Sequence, residues 1–210
     1  FRKSTGIEQG PFPVQRRFAE QAEYPNIIEV PTGLGKTALV VLGWLWRRRF
    51  APAEIRVTTP RRLVYCLPMR VLVEQTVSRC NEWIERSGLI SGPEEMPIKV
   101  HSLLGGDFND DWDLWPEHDA ILVGTQDMLL SRALNRGYGT SRFRWPSQFG
   151  LLNSDALWVF DETQLMGVGL KTSAQLDAFR SRLGTACPVH SVWMSATMNK
   201  SELETVDVRT

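Results

Sequence analysis

Short apolar runs rich in β-branched and aromatic residues recur at Asn26–Val30, Arg62–Leu67, Ile98–His101, Ala120–Gly124, Ala156–Phe160 and Ser191–Met194. Runs such as AILV and ALWVF are continuously apolar, a pattern that suits parallel strands covered on both faces. Between them, apolar positions at helical spacing predict helices over Val14–Glu23, Lys36–Arg49, Val71–Arg86, Asp127–Leu134 and Thr172–Leu183, with Thr172 or Ser173 as the N-cap of the last. Segments 87–97 and 136–149, rich in Gly, Pro and Ser, read as loops. The alternation predicts a single α/β domain over residues 1–210, a mostly parallel central sheet with helices on both faces.

The run Trp44 to Phe50 admits two readings, an aromatic-basic patch for nucleic acid or an ordinary helix end. Arginines in a last turn offset the negative end of a helix, so the second reading places Trp44 in the core and the arginines in solvent.

With 210 residues and 42% hydrophobic content, the chain can bury a sizeable core. Its three cysteines, Cys66, Cys80 and Cys187, contain no C-x-x-C pair, and an odd number of thiols predicts a reducing, cytoplasmic setting. No apolar run approaches the ~18 residues of a membrane helix, and the N-terminus lacks a signal-peptide pattern. The net charge is zero, but residues 1–90 carry 14 basic and 8 acidic side chains while residues 91–210 carry 10 and 16. Nucleic-acid contacts are therefore expected to be local rather than spread over a basic face.

The first chemical candidate follows the first strand, where NIIEVPTGLGKT runs from an apolar strand into a glycine-rich turn that closes on Gly-Lys-Thr. Gly33 and Gly35 allow backbone N–H groups to turn inward around a phosphate, with Thr32 beside them, and the following helix N-terminus adds partial positive charge. Lys36 is placed to reach the outer phosphates and the Thr37 hydroxyl to ligate Mg²⁺. The usual G-x-x-x-x-G-K-[ST] pattern wants Gly where Val30 stands. The same residues also read as G-x-G-x-x-A from Gly33 to Ala38, a dinucleotide-binding turn with Glu54 downstream, or as a turn with no ligand.

The apolar strand Ala156–Phe160 ends abruptly in Asp161 and Glu162. Beside a phosphate loop, a strand-terminal Asp holds Mg²⁺ and the next Glu polarises the water that attacks the γ-phosphate. Ligands of parallel α/β sheets bind at the carboxyl ends of strands, so Thr37 and Asp161 can meet at one metal. A third strand end carries Ser195, Ala196 and Thr197, whose hydroxyls are candidates to bond those acids and couple nucleotide state to a neighbouring domain.

Taken in order, Gly-Lys-Thr, Asp-Glu-x-Gln and Ser-Ala-Thr resemble the first RecA-like domain of a superfamily 2 helicase of the DEAD/DEAH kind, a P-loop NTPase fold. The segment from Pro11 to Phe18 resembles the upstream glutamine motif of that family, which implies that Gln15 reads the adenine edge of ATP. Leu67 to Thr76 resembles motif Ia and Gly124 to Leu134 the motif Ib region, which implies that Arg70, Gln75, Thr125, Gln126 and Arg132 touch the phosphates of a nucleic-acid strand. The stretch from Gly124 to Gly167 is similar to the CRISPR-associated helicase-nuclease of type I systems, especially its I-U/I-G branch. That resemblance implies ATP and Mg²⁺ as cofactors, single-stranded DNA as substrate and an RNA-guided surveillance complex as partner. It further implies a second RecA-like domain that completes the ATP site.

The histidine-aspartate nuclease of that family needs several His and Asp ligands, whereas this sequence has three histidines, His101, His118 and His190. The acidic stretch from Asp107 to Asp119 fails the EF-hand pattern, because Trp112 holds the turn Gly position and His118 the bidentate Glu position, so it reads as a solvated loop. The alternatives to a CRISPR-associated motor are a nucleotide-gated module for single-stranded nucleic acid, an inactive fragment, or the helicase domain of another DNA- or RNA-processing system.

Overall fold

The computed structural model describes residues 1–31, 33–89, 97–105, 111–137, 139–197 and 200–205. Six strands form one sheet: β1 (Ile27–Glu29), β2 (Arg62–Leu67), β3 (Lys99–Leu103), β4 (Ala120–Thr125), β5 (Ala156–Phe160) and β6 (Val189–Ser195). They lie in the order β1-β6-β5-β2-β4-β3, and every neighbouring pair is parallel. Every residue of β2 and β5 is buried, which explains their continuous apolar runs, while the edge strand β3 is mostly half-exposed.

Parallel strands require crossovers, and helices provide most of them; among the described residues the link from β3 to β4 holds none. The helices are α1 (Arg2–Thr5), α2 (Pro13–Glu20), α3 (Lys36–Arg49), α4 (Ala53–Thr58), α5 (Arg70–Ser87), α6 (Gln126–Ala133), α7 (Trp145–Leu152) and α8 (Val168–Leu183). Alternate residues of one strand feed opposite faces. Leu63, Tyr65 and Leu67 of β2 join Leu39, Trp44, Val73 and Ile84 from α3 and α5, while Val64 and Cys66 join Leu129, Leu152, Leu170 and Trp193 on the other side. Two apolar layers thus sandwich the sheet. Among the described residues no helix is long and apolar enough to cross a membrane.

Four expectations are corrected. Segment 136–149 is not a continuous loop: a 3₁₀ turn at Arg142–Arg144 leads into α7, with Pro146 in the first turn, where a missing N–H costs nothing. Helix α8 starts four residues before Thr172, with Gly167 as its N-cap at φ 52°. Thr172 and Ser173 lie inside it and donate their hydroxyl protons to Val168 O and Leu170 O. The arginines ending α3 are not solvated. Arg47 is 1% exposed, and Arg48 and Arg49 both pair with Asp119, at 2.6 and 3.2 Å. The stretch from Asp111 to Asp119 is not simply solvated either, since Trp112 and Asp113 are buried and Asp113 pairs with Arg144. Asp107 and Asn109 lie outside the described residues.

Candidate nucleotide and nucleic-acid site

The C-terminal ends of β1, β6, β5, β2 and β4 share one rim, because the register pairs Glu29 with Ser195, Phe160 with Trp193 and Cys66, and Leu67 with Thr125. Each candidate motif leaves the sheet at that rim, so segments far apart in sequence converge.

After β1 the chain turns through Gly33 and Gly35, at φ 88° and 71°, a left-handed conformation that a Cβ disfavours. Gly35 is the N-cap of α3 and Lys36 its first residue. Gln15, on α2, closes over this turn: it accepts a hydrogen bond from Phe12 N at 2.9 Å and donates one to Gly35 O at 3.3 Å. A Cβ on Gly35 would stand 2.9 Å from Gln15 Nε2, so the close approach needs glycine. Thr32 lies outside the described residues.

Lys36 is buried and its ammonium faces the acids at the end of β5, 2.7 Å from Glu162 Oε1 and 3.5 Å from Asp161 Oδ1. The other Asp161 oxygen, Oδ2, accepts a hydrogen bond from the Tyr65 hydroxyl at 2.7 Å. Asp161 Oδ1 also accepts the N–H of Glu162 at 2.8 Å, a turn that Glu162 makes at φ 54°. The Thr37 side chain acts on the same Tyr65 phenol, lowering its pKa against the effect of burial. Gly-Lys-Thr and Asp-Glu are therefore in direct contact.

Electrostatics divide the two acids. Burial raises the Asp161 carboxyl above its ordinary range despite the opposing bonds from Tyr65 and Lys36. Glu162 is also partly desolvated, but the bonds from Lys36 and Gln164 outweigh that and hold its carboxyl below the ordinary range. Burial and the nearby Asp161 push the Tyr65 phenol well up, so it stays protonated and donates.

Ser195 reaches the acids indirectly. Its hydroxyl lies 2.8 Å from Gln164 Oε1 and 2.7 Å from Thr197 O, one proton for two acceptors, and it accepts the N–H of Thr197 at 3.2 Å. Gln164 in turn donates to Glu162 Oε2 at 2.5 Å. The expected direct bond from these hydroxyls to the acids is replaced by a relay through Gln164, and Thr197 takes part through its backbone while its side chain is exposed.

The strand-contact candidates divide as well. Arg70 and Gln75 are exposed on the first turns of α5, and Thr125 and Gln126 open α6 beside them, half-buried. Arg70 is tied to Glu74 at 2.9 Å, an exposed pair that a phosphate can displace at small cost. Arg132 does not stand with them. It is 1% exposed at the far end of α6 and donates to Thr140 Oγ1 at 3.1 Å, which makes it a support for the segment leading to α7.

Hard oxygen donors suit Mg²⁺, and the Asp161 carboxylate, backed by the Tyr65 phenol, and the Thr37 hydroxyl are such a set. Sequence reasoning passed over Tyr65 and the relay role of Gln164. The available signal was a lone phenol in a strand that is apolar after Arg62, since a buried Tyr usually finds a partner for its hydroxyl.

The family model of the DEAD/DEAH box helicase matches residues 12–206, nearly the whole chain. The chain belongs to the DEAD/DEAH box helicase family. Among solved structures this helicase domain is similar to the yeast DEAD-box splicing factor Prp28, at 21% identity and TM-score 0.60, over 90% of this chain and 41% of that one. It is also similar to the DUF1998 helicase MrfA, at 19% identity and TM-score 0.65, over 96% of this chain and 29% of that one. Dbp5 from S. cerevisiae, bound to RNA and ADP BeF₃, matches at 18% identity and TM-score 0.55, over 92% of this chain and 42% of that one. These likenesses share the fold, and the chain spans less than half the length of each. No curated protein sequence matches the chain.

Proposed function

We propose that this helicase domain is the ATP-binding motor half of a translocase on single-stranded DNA, in the CRISPR-associated branch that segment 124–167 resembles. The observation that carries the nucleotide reading is the contact of Lys36 with Asp161 and Glu162. A phosphate loop and a strand-terminal acid pair meet at one rim.

In this reading the backbone from Thr32 to Gly35 and the Lys36 ammonium hold the phosphates, and Thr37 and Asp161 hold Mg²⁺, which neutralises phosphate charge when bound. Glu162, kept ionised, orients the attacking water. Its carboxylate is first released from Lys36, because a phosphate oxygen competes for the same ammonium. Gln15 retains a second lone pair on Oε1 and a second N–H on Nε2, so both ends of its amide remain available to an adenine edge. A cavity of about 260 Å³ beside it has mostly apolar walls, Phe1, Pro11, Ala38, Leu42 and Trp46 among them, with Arg16 and Glu20 on its lining as well, a mixture suited to a base.

Arg70, Gln75, Thr125 and Gln126 share the rim along which a strand would pass. The DNA assignment draws on the sequence resemblance, and MrfA has been seen with DNA and AMPPNP whereas Dbp5 has been seen with RNA. By the same resemblance the DNA strand is delivered by an RNA-guided surveillance complex.

Lys36→Ala is expected to weaken binding of a fluorescent ATP analogue at least tenfold, read by anisotropy. Equal affinity of the two chains would refute the phosphate-loop assignment. DNA and RNA oligonucleotides of one sequence, competed against each other with the analogue bound, test the strand assignment: tighter RNA binding points to an RNA helicase.

A further inference from the structure

We infer that Tyr65 is a positioning residue for the metal of the bound nucleotide: its hydroxyl fixes the Asp161 carboxylate. The inference rests on the nucleotide reading above and adds a residue outside the phosphate loop, the Asp-Glu-x-Gln run and the segments that resemble motifs Ia and Ib.

Tyr65 sits on β2, next to β5 in the sheet, and its side chain points into the layer that holds α3. It is fully buried. Its hydroxyl donates to Asp161 Oδ2 at 2.7 Å. Asp161 Oδ1 is held from the other side by the Glu162 N–H at 2.8 Å and faces Lys36 at 3.5 Å. Both oxygens are therefore anchored, and the carboxylate has one rotamer. Strand β2 and the segment after β5, far apart in sequence, are thus joined at a single phenol.

A carboxylate that binds a cation is oriented by the groups bonded to its other lone pairs, and removal of such a partner typically weakens metal binding ~10- to 100-fold. The competing explanation is that Asp161 merely satisfies a buried phenol. Stability does not separate the two, since either predicts a loss when the hydroxyl is removed. Metal dependence does. A purely structural bond leaves the Mg²⁺ requirement of nucleotide binding untouched.

The experiment titrates Mg²⁺ into the chain with a fluorescent ATP analogue present, starting in EDTA, for wild type, Tyr65→Phe and Lys36→Ala. The expected result for Tyr65→Phe is a roughly tenfold rise in the Mg²⁺ concentration that gives half-maximal tightening, with metal-free affinity within about twofold of wild type. Superimposable Mg²⁺ curves for Tyr65→Phe and wild type would overturn the inference while leaving the nucleotide reading intact. Wild type that binds no better than Lys36→Ala, with or without Mg²⁺, overturns both. If Tyr65→Phe fails to fold, wild-type chain carrying ¹³Cζ-tyrosine serves instead. Mg²⁺ added to the nucleotide-bound protein should displace the Tyr65 resonance, and a resonance that stays in place refutes the inference.

Discussion

Arg47 shows how little a residue's type says about its setting. It follows Trp46 in a basic helix end, yet its guanidinium donates to Gln21 O at 2.6 Å, Ala22 O at 3.2 Å and Ala19 O at 3.4 Å, and lies 4.3 Å from the centre of the Tyr24 ring. Those carbonyls belong to the end of α2 and the turn after it, where no further helical N–H reaches them. A fork of five donors suits that cluster, and lysine would not serve it equally. Arg47→Leu keeps the apolar stem but leaves buried carbonyls unpaired. It is expected to lower unfolding free energy by about 3 kcal/mol in urea denaturation. Arg86, half-exposed, gives the contrast: it pairs with Glu82 at 2.6 Å and donates to Thr5 O at 3.1 Å, both on the exposed surface. Arg86→Gln should cost less than about 1 kcal/mol, since exposed pairs lose in entropy and screening most of what they gain. Spacing along the chain distinguishes neither arginine from the other. What separates them is the path of the chain after α2, which periodicity does not report.

At the scale of elements, α2 must reach α3 closely enough for Gln15 to meet Gly35, and Gly43 permits it. A Cβ there would stand 2.7 Å from Phe18 Cδ1 and 3.2 Å from Phe18 Cε1. Phe18 is 2% exposed and has little room to turn. Gly43→Ala gains about 1 kcal/mol of helix propensity, but overpacking costs about 1–3 kcal/mol, so the crowding is expected to win. A lowered midpoint in thermal denaturation, restored by adding Phe18→Leu, checks both the sign and the cause. Greater stability of the single variant would show that α2 can move away, and with it Gln15. The main elements were legible because their signals are strong: six continuous or near-continuous apolar runs became six strands, and α3 was placed to the residue. The N-terminal boundary of α8 was not, because Gly167 and Gly169 look like a loop and the apparent caps Thr172 and Ser173 bond backward into the helix instead. Helix α7 hid for a related reason: Pro146 ends a helix in the middle of a pattern but starts one here.

At the scale of the molecule, the site was legible as separate strand ends and illegible as a network. Gly-Lys-Thr, Asp-Glu and Ser-Ala-Thr each adjoin a strand, so their convergence follows from a parallel sheet. That Tyr65 backs Asp161, and that Gln164 links Ser195 to Glu162, depends on which face each side chain takes, and a continuous apolar strand carries no alternation from which to read it. The network bears on turnover. Lys36 is the cation the structure brings to the acid pair, and it is held by Glu162, the group assigned to the attacking water. The resemblance to superfamily 2 helicases implies a second RecA-like domain that adds arginines to the γ-phosphate, and the present 210 residues span 41% of Prp28. An arginine finger supplied by a partner domain raises phosphoryl-transfer rates ~10³- to 10⁵-fold. The 210-residue chain is therefore expected to bind Mg·ATP yet release phosphate far more slowly than one turnover per second, with single-stranded DNA changing that rate little. A coupled phosphate-release assay at saturating ATP, with and without a DNA oligonucleotide, measures it. Multiple turnovers per second stimulated by DNA would mean that this half assembles a complete hydrolytic site, and that the Lys36–Glu162 pair opens without help from a second domain.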